Sequence, residues 1–159
     1  MKSKIISLKR LIRIARELKR QKKVIVFTNG TFDLLHAGHV MYLEKARKLG
    51  DVLIIGVNTD RSVKKYKSPH RPVVGQKDRI RVLTALSCVD FALFFDAPTP
   101  ARLIASLKPD ILVKGADWKK SQIAGAKQVE SWGGKLVRMR LLPGRSTTSL
   151  IKKIKKLKT

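Results

Sequence analysis

Two histidines three positions apart offer the clearest chemistry in this sequence. His36 and His39 follow a short apolar run at residues 24–27 and stand at the start of a segment with helical spacing. Side chains three positions apart in a helix share a face, and a helix N-terminus offers free N–H groups and a partial positive charge to an anion. Gly38 leaves room for a phosphate to approach the backbone. The pattern predicts that two imidazoles bind a phosphate chain and stabilise its charge.

Further polar groups lie next to the histidines along the chain. The segment reads Thr-Asn-Gly-Thr-Phe-Asp over residues 28–33, directly after the apolar run. Gly30 allows a phosphate close to the backbone on the strand side, as Gly38 does on the helix side. Histidines pair by chance on many helices, but glycines, an aspartate and a preceding apolar run rarely accompany them. The combination therefore indicates a phosphate-binding site.

Five short apolar segments must hold these residues in place. Segments rich in aliphatic and Phe residues, typical of buried parallel strands, lie at residues 24–27, 52–57, 91–95, 111–113 and 135–139. Segments with helical spacing alternate with them, at residues 4–20, 38–49, 60–65, 76–86, 99–108, 123–132 and 147–157. The alternation predicts a doubly wound α/β fold, in which a five-stranded parallel sheet carries helices on both faces.

The length and the order of elements also predict the domain organisation. A chain of 159 residues without repeats or linkers fits one domain over residues 1–159. We expect an amphipathic helix within residues 1–23 and a basic helix over residues 147–159, with hydroxyl residues capping the latter. Ligands of open α/β sheets bind beyond the carboxyl ends of the strands, so chemistry is expected in the loops after residues 27, 57, 113 and 139.

The charge of the chain is high, but its distribution limits what it says about function. Thirty-six Lys and Arg against 11 Asp and Glu give a net charge of +25. Such a field attracts nucleic acid, anionic lipid or phosphorylated metabolites. However, ten basic residues fall in the first 23 positions and five in the last ten, so much of the charge is expected on solvated helix faces. Aromatic residues make up 6%, few for stacking bases, and no nucleic-acid partner is expected.

Cysteine content and hydropathy bear on the cellular compartment. Cys88 is the one cysteine, and neither a secretory signal nor a run of about 18 apolar residues occurs. A single thiol forms no internal disulfide and suits a reducing compartment. We therefore predict a cytoplasmic protein with no membrane partner.

The histidine segment resembles a known family. TNGTFDLLHAGH, residues 28–39, is similar to the signature of the cytidylyltransferase-like nucleotidyltransferases, which carry an H-x-G-H motif on a Rossmann-like fold. Four further segments, VNTDRSVKKYKSPHRPV, RIRVLTALSCVD, PDILVKGADW and PGRSTTSLIKKI, look most like the adenylyltransferase domains of ADP-heptose synthases. The resemblance implies an enzyme that transfers AMP from ATP to heptose 1-phosphate, releases pyrophosphate and gives ADP-heptose.

The resemblance implies roles for the matching positions. His36 and His39 would hold the triphosphate and stabilise the transition state, while Lys65 or Lys67 would meet the sugar phosphate and Arg79 would lie near the substrates. Residues of three loops would line the nucleotide site: Thr28, Asn29, Gly30, Thr31, Phe32, Asp33 and Gly38; Lys114, Gly115, Asp117 and Trp118; and Gly144, Ser146, Thr147 and Thr148. Mg²⁺ would accompany ATP. Homodimers are common among relatives, so a homodimer is expected.

Two positions depart from the heptose pattern. Thr31 stands where heptose adenylyltransferases usually carry cysteine, and threonine resembles the glycerol-phosphate branch. Ala116 stands where glycine is more frequent. The alternative is therefore a cytidylyltransferase acting on glycerol 3-phosphate or a related phosphate acceptor. More distant alternatives are an FAD synthetase-type adenylyltransferase and a basic nucleic-acid-binding protein.

Overall fold

A sheet of five parallel strands forms the centre of the protein. The computed structural model describes residues 3–140, 142 and 144–157. The strands are β1 (Ile25–Gly30), β2 (Val52–Asn58), β3 (Phe91–Phe95), β4 (Ile111–Gly115) and β5 (Lys135–Met139). Their spatial order is β3-β2-β1-β4-β5, and all four neighbouring pairs are parallel. The predicted five-stranded parallel sheet is confirmed.

Helices alternate with the strands along the chain. Within the described residues they are α1 (Leu8–Arg20), α2 (Ala37–Arg47), α3 (Asp60–Tyr66), α4 (Gln76–Ala85), α5 (Ala101–Leu107), α6 (Ala126–Ser131) and α7 (Thr147–Lys156), with a 3₁₀ turn at Lys120–Gln122. None of these helices combines the length and the apolar character that crossing a membrane requires.

The sheet buries apolar side chains on both of its faces. One core joins α1, α5 and α6 to alternate strand residues such as Phe27 and Ile54. The other core joins α2 and α4 to the intervening residues, such as Val26 and Ile55. Successive residues of a strand point to opposite faces, so a sheet covered on both sides needs continuously apolar strands. The predicted α/β class, with helices on both faces, is confirmed.

The N-terminal segment differs from the sequence prediction. The sequence predicts a helix from residue 4 and assigns residues 1–23 to it, but α1 spans Leu8–Arg20 with Ser7 as its N-cap. Before it, the chain pairs with the open edge of β3: Ile6 N–H donates to the carbonyl of Ala92 at 3.1 Å, and Ala92 N–H donates to the carbonyl of Lys4 at 2.9 Å. Hydrogen bonds to an edge strand satisfy backbone groups that a first helical turn leaves unpaired.

Three other boundaries move by a few residues. The first strand, predicted to end at residue 27, continues to Gly30 and pairs with β2 as far as Gly30 and Val57. The helix predicted from residue 99 begins at Ala101, with Pro100 as its N-cap. The helix predicted from residue 123 begins at Ala126, because the chain first makes the 3₁₀ turn and a left-handed Gly125.

The topology determines where a ligand can bind. β1 and β4 are neighbours in the sheet, although β2 and β3 come between them in the chain. This is the point at which the strand order reverses, and open α/β sheets bind ligands beyond the carboxyl ends of the strands there. Residues 28–39, which run from the end of β1 to the start of α2, lie at this edge.

Candidate active site

A cleft of about 590 Å³ opens at the carboxyl ends of β1, β2 and β4. Residues 29–39, which we call the histidine wall, form one side, and residues 145–148 before and within α7, the α7 wall, contribute another. Most of the predicted site residues line the cleft: Asn29, Gly30, Thr31, Phe32, Asp33, His36, Gly38, His39, Lys67, Lys114, Gly115, Asp117, Trp118, Ser146, Thr147 and Thr148. Thr28, Lys65, Arg79 and Gly144 do not line it.

The two histidines lie together at the start of α2. Their rings stack with centroids 3.9 Å apart and an interplanar angle of 25°. Phe32 contacts the His39 ring edge-on at 5.5 Å. Neither buried Nδ1 atom has a hydrogen-bond partner within the described part of the chain. The described residues of the protein itself therefore satisfy neither of these two ring nitrogens.

Burial keeps both imidazoles neutral near pH 7. The pKa of His39 is lowered to about 4, with desolvation by burial as the largest cause, followed by the electrostatic effects of His36 and Lys67. The pKa of His36 is also lowered, first by burial and then by Arg145. Each ring therefore carries a single N–H, which can donate to a phosphate oxygen.

Gly38 lies where the two walls of the cleft touch. A Cβ atom at this position would come within 3.0 Å of the His36 ring and 3.2 Å of Cβ of Arg145. Such contacts are shorter than side chains normally tolerate. The absence of a side chain at Gly38 thus lets the α7 wall approach the start of α2.

Asp33 lines the cleft as predicted, but its carboxylate is already occupied by the protein. Its carboxylate accepts hydrogen bonds from Arg71 Nε at 2.7 Å, Val73 N–H at 2.9 Å and Val74 N–H at 2.9 Å. Burial alone would raise the pKa of Asp33, but these hydrogen bonds and the Arg71 charge outweigh it and keep the pKa below 3.8. Asp33 therefore fastens the loop after α3 to the histidine wall.

The sequence predicts Arg79 near the substrates, and the structure corrects this prediction. Its side chain is fully buried beneath the cleft and forms an ion pair with Asp60 at 2.7 Å. It also donates to the carbonyls of Asn58 at 2.8 Å, Val74 at 2.9 Å and Thr31. With these donors occupied by the protein, Arg79 is a positioning residue that ties the histidine wall to β2, α3 and the loop before α4.

The lysines after β2 also have different positions. Lys67 lines the main cleft, and burial is the first cause that lowers its pKa, followed by Arg71. Lys65 lies two residues earlier on α3 and lines a separate pocket of about 160 Å³ with Asp96 and Pro98. Positions two apart on a helix point in directions about 160° apart, so only one of the two faces the cleft. The structure favours Lys67.

Lys114 brings a buried amine to the cleft. Its Nζ donates to the carbonyl of Asn29 at 2.9 Å. Desolvation lowers the pKa of Lys114 to about 8, against a small opposing effect of Asp117. The Oδ1 atom of Asn29 is also buried and has no partner among the described residues. This end of β1 and β4 therefore holds a donor and an acceptor that a ligand can satisfy.

The α7 wall is built by a helix cap. The Ser146 hydroxyl accepts a hydrogen bond from Ser149 N–H at 3.0 Å, and Ser149 Oγ accepts one from Ser146 N–H at 3.1 Å. This reciprocal arrangement fixes the start of α7, where Thr147 and Thr148 line the cleft. Gly144 lies before it with a φ of +70° and turns the chain, so its predicted role at the nucleotide is not supported by its position.

Several cleft residues escape the sequence analysis. Tyr42 lies three positions after His39 on α2, and its hydroxyl forms a 2.8 Å hydrogen bond with that of Thr28, which is buried behind the cleft. The helical spacing from His39 was a usable signal for it. Tyr66, Arg71 and Arg145 also line the cleft. The Tyr66 and Thr31 hydroxyls form a hydrogen bond between distant parts of the chain, and no local sequence pattern reveals such a contact.

The fold and the site together define a class of protein. A parallel sheet of this order, with paired histidines at the start of the helix after β1 and a hydroxyl-rich helix start in the same cleft, is that of an α/β nucleotidyltransferase. The chain belongs to the cytidylyltransferase-like family, whose sequence model matches residues 27–153. The predicted family, fold and enzyme class are confirmed.

Close relatives extend the similarity to nearly the whole chain. The chain is 49% identical over 151 residues to the bifunctional protein HldE of Methylobacillus flagellatus, which covers 95% of this chain and 31% of the relative. It is 52% identical over 134 residues to the HldE protein of Magnetococcus marinus, covering 84% of this chain and 28% of the relative. The chain thus spans about a third of the length of these curated relatives.

Solved structures share the fold. The lipopolysaccharide core biosynthesis protein from Thermoplasma volcanium is 27% identical, with a TM-score of 0.66 over 76% of this chain and 98% of that one. Pantoate-beta-alanine ligase from Francisella tularensis has a TM-score of 0.62 at 16% identity, covering 98% of this chain and 78% of that one. The second likeness is one of fold alone.

Proposed function

We propose that the protein transfers AMP from ATP to heptose 1-phosphate, releases pyrophosphate and gives ADP-heptose. The observation that carries the proposal is the stacked pair His36 and His39 at the start of α2, with Lys67 and Lys114 in the same cleft. Adenylyl transfer and the heptose acceptor are inferred from the sequence segments that resemble ADP-heptose synthases. The similarity to HldE proteins over most of the chain supports the same assignment.

The proposed reaction needs no general base. The nucleophile is an oxygen of the acceptor phosphate, which is largely ionised at neutral pH because its second pKa is about 6. This oxygen forms a bond to the α-phosphorus of ATP, the bond from that phosphorus to the bridging oxygen breaks, and its electron pair leaves with pyrophosphate. Catalysis then consists of holding two anions in line and stabilising the charge that develops.

The cleft contains the groups that this task requires. The ring N–H groups of His36 and His39 donate to phosphate oxygens as charge moves onto the leaving pyrophosphate. Lys67 and Arg145 line the same cleft and offset the repulsion between the two substrates. Lys114 adds a third cation while its amine is protonated. We assign Thr147 and Thr148, at the start of α7, to the triphosphate.

Magnesium fits this site as a partner of ATP. The described residues contain no group of three or more His, Cys, Asp or Glu side chains that could hold a metal ion. Of the two carboxylates that line the cleft, Asp33 is already occupied by Arg71 and two backbone N–H groups, which leaves Asp117. Mg²⁺ would neutralise charge on the triphosphate oxygens, and Asp117 would be able to contact the hydration shell of the ion.

The test measures pyrophosphate release with Mg²⁺ while ATP and CTP are each combined with heptose 1-phosphate and glycerol 3-phosphate. We expect turnover with ATP and heptose 1-phosphate alone. Turnover with CTP and glycerol 3-phosphate would move the protein to the cytidylyl branch to which Thr31 points. No turnover with any pair, together with salt-sensitive binding to duplex DNA, would favour the nucleic-acid-binding alternative.

Three further predictions accompany this function. We propose that residues 1–159 act as one nucleotidyltransferase domain, that this domain forms a homodimer and that it works in the cytoplasm. Sedimentation equilibrium measures the mass of the assembly directly. A mass equal to the 17.9 kDa chain at assay concentrations would exclude the homodimer.

A further inference from the structure

The last helix carries an apolar stripe, which includes Ile154 and Leu157 and which the rest of the protein does not bury. None of the ten residues of α7, all of them within the described ranges, is buried. Ile154 is 51% exposed, and Leu157, the residue that follows the helix, is 77% exposed. The stripe of α1 differs, because Leu11 and Ala15 lie in the core with 0% and 3% of their surface exposed. Ile154 and Leu157 therefore present an apolar surface that is open to a partner.

Lysines border this stripe. With about 100° between successive residues of a helix, Lys153 lies beside Leu157 on one edge and Lys155 lies beside Ile151 on the other. No carboxylate of the described residues is within salt-bridge distance of Lys152, Lys153 or Lys155. The sequence from residue 131 to residue 159 has nine Lys and Arg and no Asp or Glu. A partner of this surface must accept cations and aliphatic side chains together.

We propose that α7 binds the surface of an anionic lipid bilayer. Ile154 and Leu157 would insert at the boundary between headgroups and acyl chains, and the lysines would contact lipid phosphates with their aliphatic stems lying along the stripe. Such a helix lies in the plane of the surface and does not cross it. The prediction of no membrane partner depended on the absence of a spanning segment, which this mode of binding does not need.

Two other partners fit the surface less well. A second copy of the same stripe would bring two sets of lysines together without a carboxylate from residues 131–159 of either chain. Nucleic acid would accept the lysines, but its phosphate backbone offers nothing to Ile154 and Leu157. Charge complementarity and the exposed aliphatic groups together favour the bilayer.

Binding would also place the cleft near the surface. Thr147 and Thr148 line the cleft at the start of α7, and Leu157 follows the end of the same helix. Ten helical residues span about 15 Å. An enzyme held by the end of α7 would therefore release its product within a few nanometres of the lipid headgroups.

The experiment measures cosedimentation of the chain with vesicles of equal parts phosphatidylglycerol and phosphatidylcholine, and with phosphatidylcholine alone. We expect binding to the anionic vesicles only. The double variant Lys153→Gln, Lys155→Gln, at the two edges of the stripe, should lower the partition coefficient about 25-fold, at about fivefold per lysine. The double variant Ile154→Ser, Leu157→Ser should lower it about tenfold.

The matched control removes the same charge from α1. Lys9, Arg13 and Arg16 are exposed and form no ion pair with any described residue, but the apolar stripe of α1 is in the core. Lys9→Gln, Arg13→Gln, which removes two charges as the α7 double variant does, should therefore lower the partition coefficient less than about fivefold. Circular dichroism and pyrophosphate release check that each variant remains folded and active.

Three results would contradict the proposal. Equal losses in the α1 and α7 charge variants would show that net charge alone attracts the chain. Unchanged binding of the Ile154, Leu157 variant would exclude insertion of the stripe. A lower assembly mass for that variant in sedimentation equilibrium would show that a second copy covers the stripe. Because activity is measured separately, failure of this proposal leaves the proposed reaction unaffected.

Discussion

The two walls of the cleft are built in opposite ways. The histidine wall contains buried side chains, including Thr31, Phe32 and Asp33, and the buried Arg79 bonds to its backbone from below. The α7 wall consists of mostly exposed residues at the start of a helix that contributes no buried residue. One wall is therefore fixed before substrate arrives, while the other depends on a helix cap and on the ligand itself.

This difference matches the chemistry that each wall would perform. Groups that stabilise developing charge are most effective when they are already oriented, because reorganisation during the reaction costs free energy. Groups that only hold the triphosphate can be ordered by the triphosphate on binding, at some cost in affinity. Segments with few buried apolar contacts also have low local stability. Variants of the histidine wall should therefore affect kcat or global stability, and variants of the α7 wall should affect KM.

The largest effect is expected for His39. We predict that His39→Ala lowers kcat by about 10²–10³, the usual loss when one donor to a transition state is removed. Steady-state pyrophosphate release measures it. His70→Ala, at an exposed position outside the cleft, is the matched control and should retain full activity. An unchanged kcat for His39→Ala would show that the histidine wall takes no part in catalysis. The proposed functional difference between the two walls would then be wrong.

Asp33 should control global stability. We predict that Asp33→Asn lowers the free energy of unfolding by about 3 kcal/mol at pH 7, because it leaves the Arg71 charge unpaired in a largely buried site. The folded pKa of Asp33 lies below 3.8, so its stabilisation is complete above that pH and is lost as the pH falls through the lower folded value. Urea unfolding of both proteins from pH 7 to pH 3 measures this effect. A difference that stays constant over this range would contradict the ion-pair explanation.

Lys114 should give the reaction an alkaline limit. In the free enzyme its amine loses a proton at a pKa of about 8, so kcat/KM should fall about tenfold per pH unit above that value. Lys114→Met should be about tenfold slower at pH 7 and should lack this limit. Lys65→Met, outside the cleft, should keep the full pH profile. A decline near pH 8 that persists in Lys114→Met would assign it to another group.

The lowered pKa of Lys114 also determines how its contribution to folding stability changes with pH. The folded pKa of about 8 lies below the ordinary value of 10.5, so the unfolded chain holds this proton more tightly. The contribution of Lys114 to stability therefore rises between about pH 8 and pH 10.5 while catalysis declines.

The smallest effect is expected at the α7 wall. Ser146→Ala removes a helix cap, which costs about 1 kcal/mol, so we predict about a fivefold rise in the KM for ATP with kcat nearly unchanged. Ser7 caps α1 in the same way, by accepting from Arg10 N–H at 3.3 Å. Ser7→Ala should lower stability similarly and leave KM unchanged. A loss of kcat in Ser146→Ala would show that the α7 wall is also oriented for the transition state.

Most of the fold could be predicted from the sequence because local residue patterns determine where the strands and helices lie. Continuous apolar runs identify the strands, and the hydroxyl residue Ser146 marks where α7 begins. The N-terminal boundary was wrong because residues 4–6 pair with β3 at Ala92, which is 86 to 88 positions away in the chain. No periodicity in residues 4–20 distinguishes a first helical turn from an edge strand.

The site was predictable where a motif is contiguous and unpredictable where contacts are distant. The histidines and the start of α7 lie in continuous motifs, and both line the cleft. The occupied carboxylate of Asp33, the burial of Arg79 and the orientation of Lys65 depend on tertiary contacts. The stripes of α1 and α7 illustrate the same limit, because an amphipathic pattern occurs both in a helix that packs in the core and in one that does not.

Gly38 has a consequence for how this protein tolerates mutation. Any side chain there would meet the His36 ring and Arg145 at once, so the spacing of the two walls depends on a single missing methyl group. In a mutational scan under selection for activity, position 38 should accept glycine alone, while the exposed neighbour Ala37 should accept many residues. That abrupt change between adjacent positions would locate, from growth data alone, the point where the walls meet.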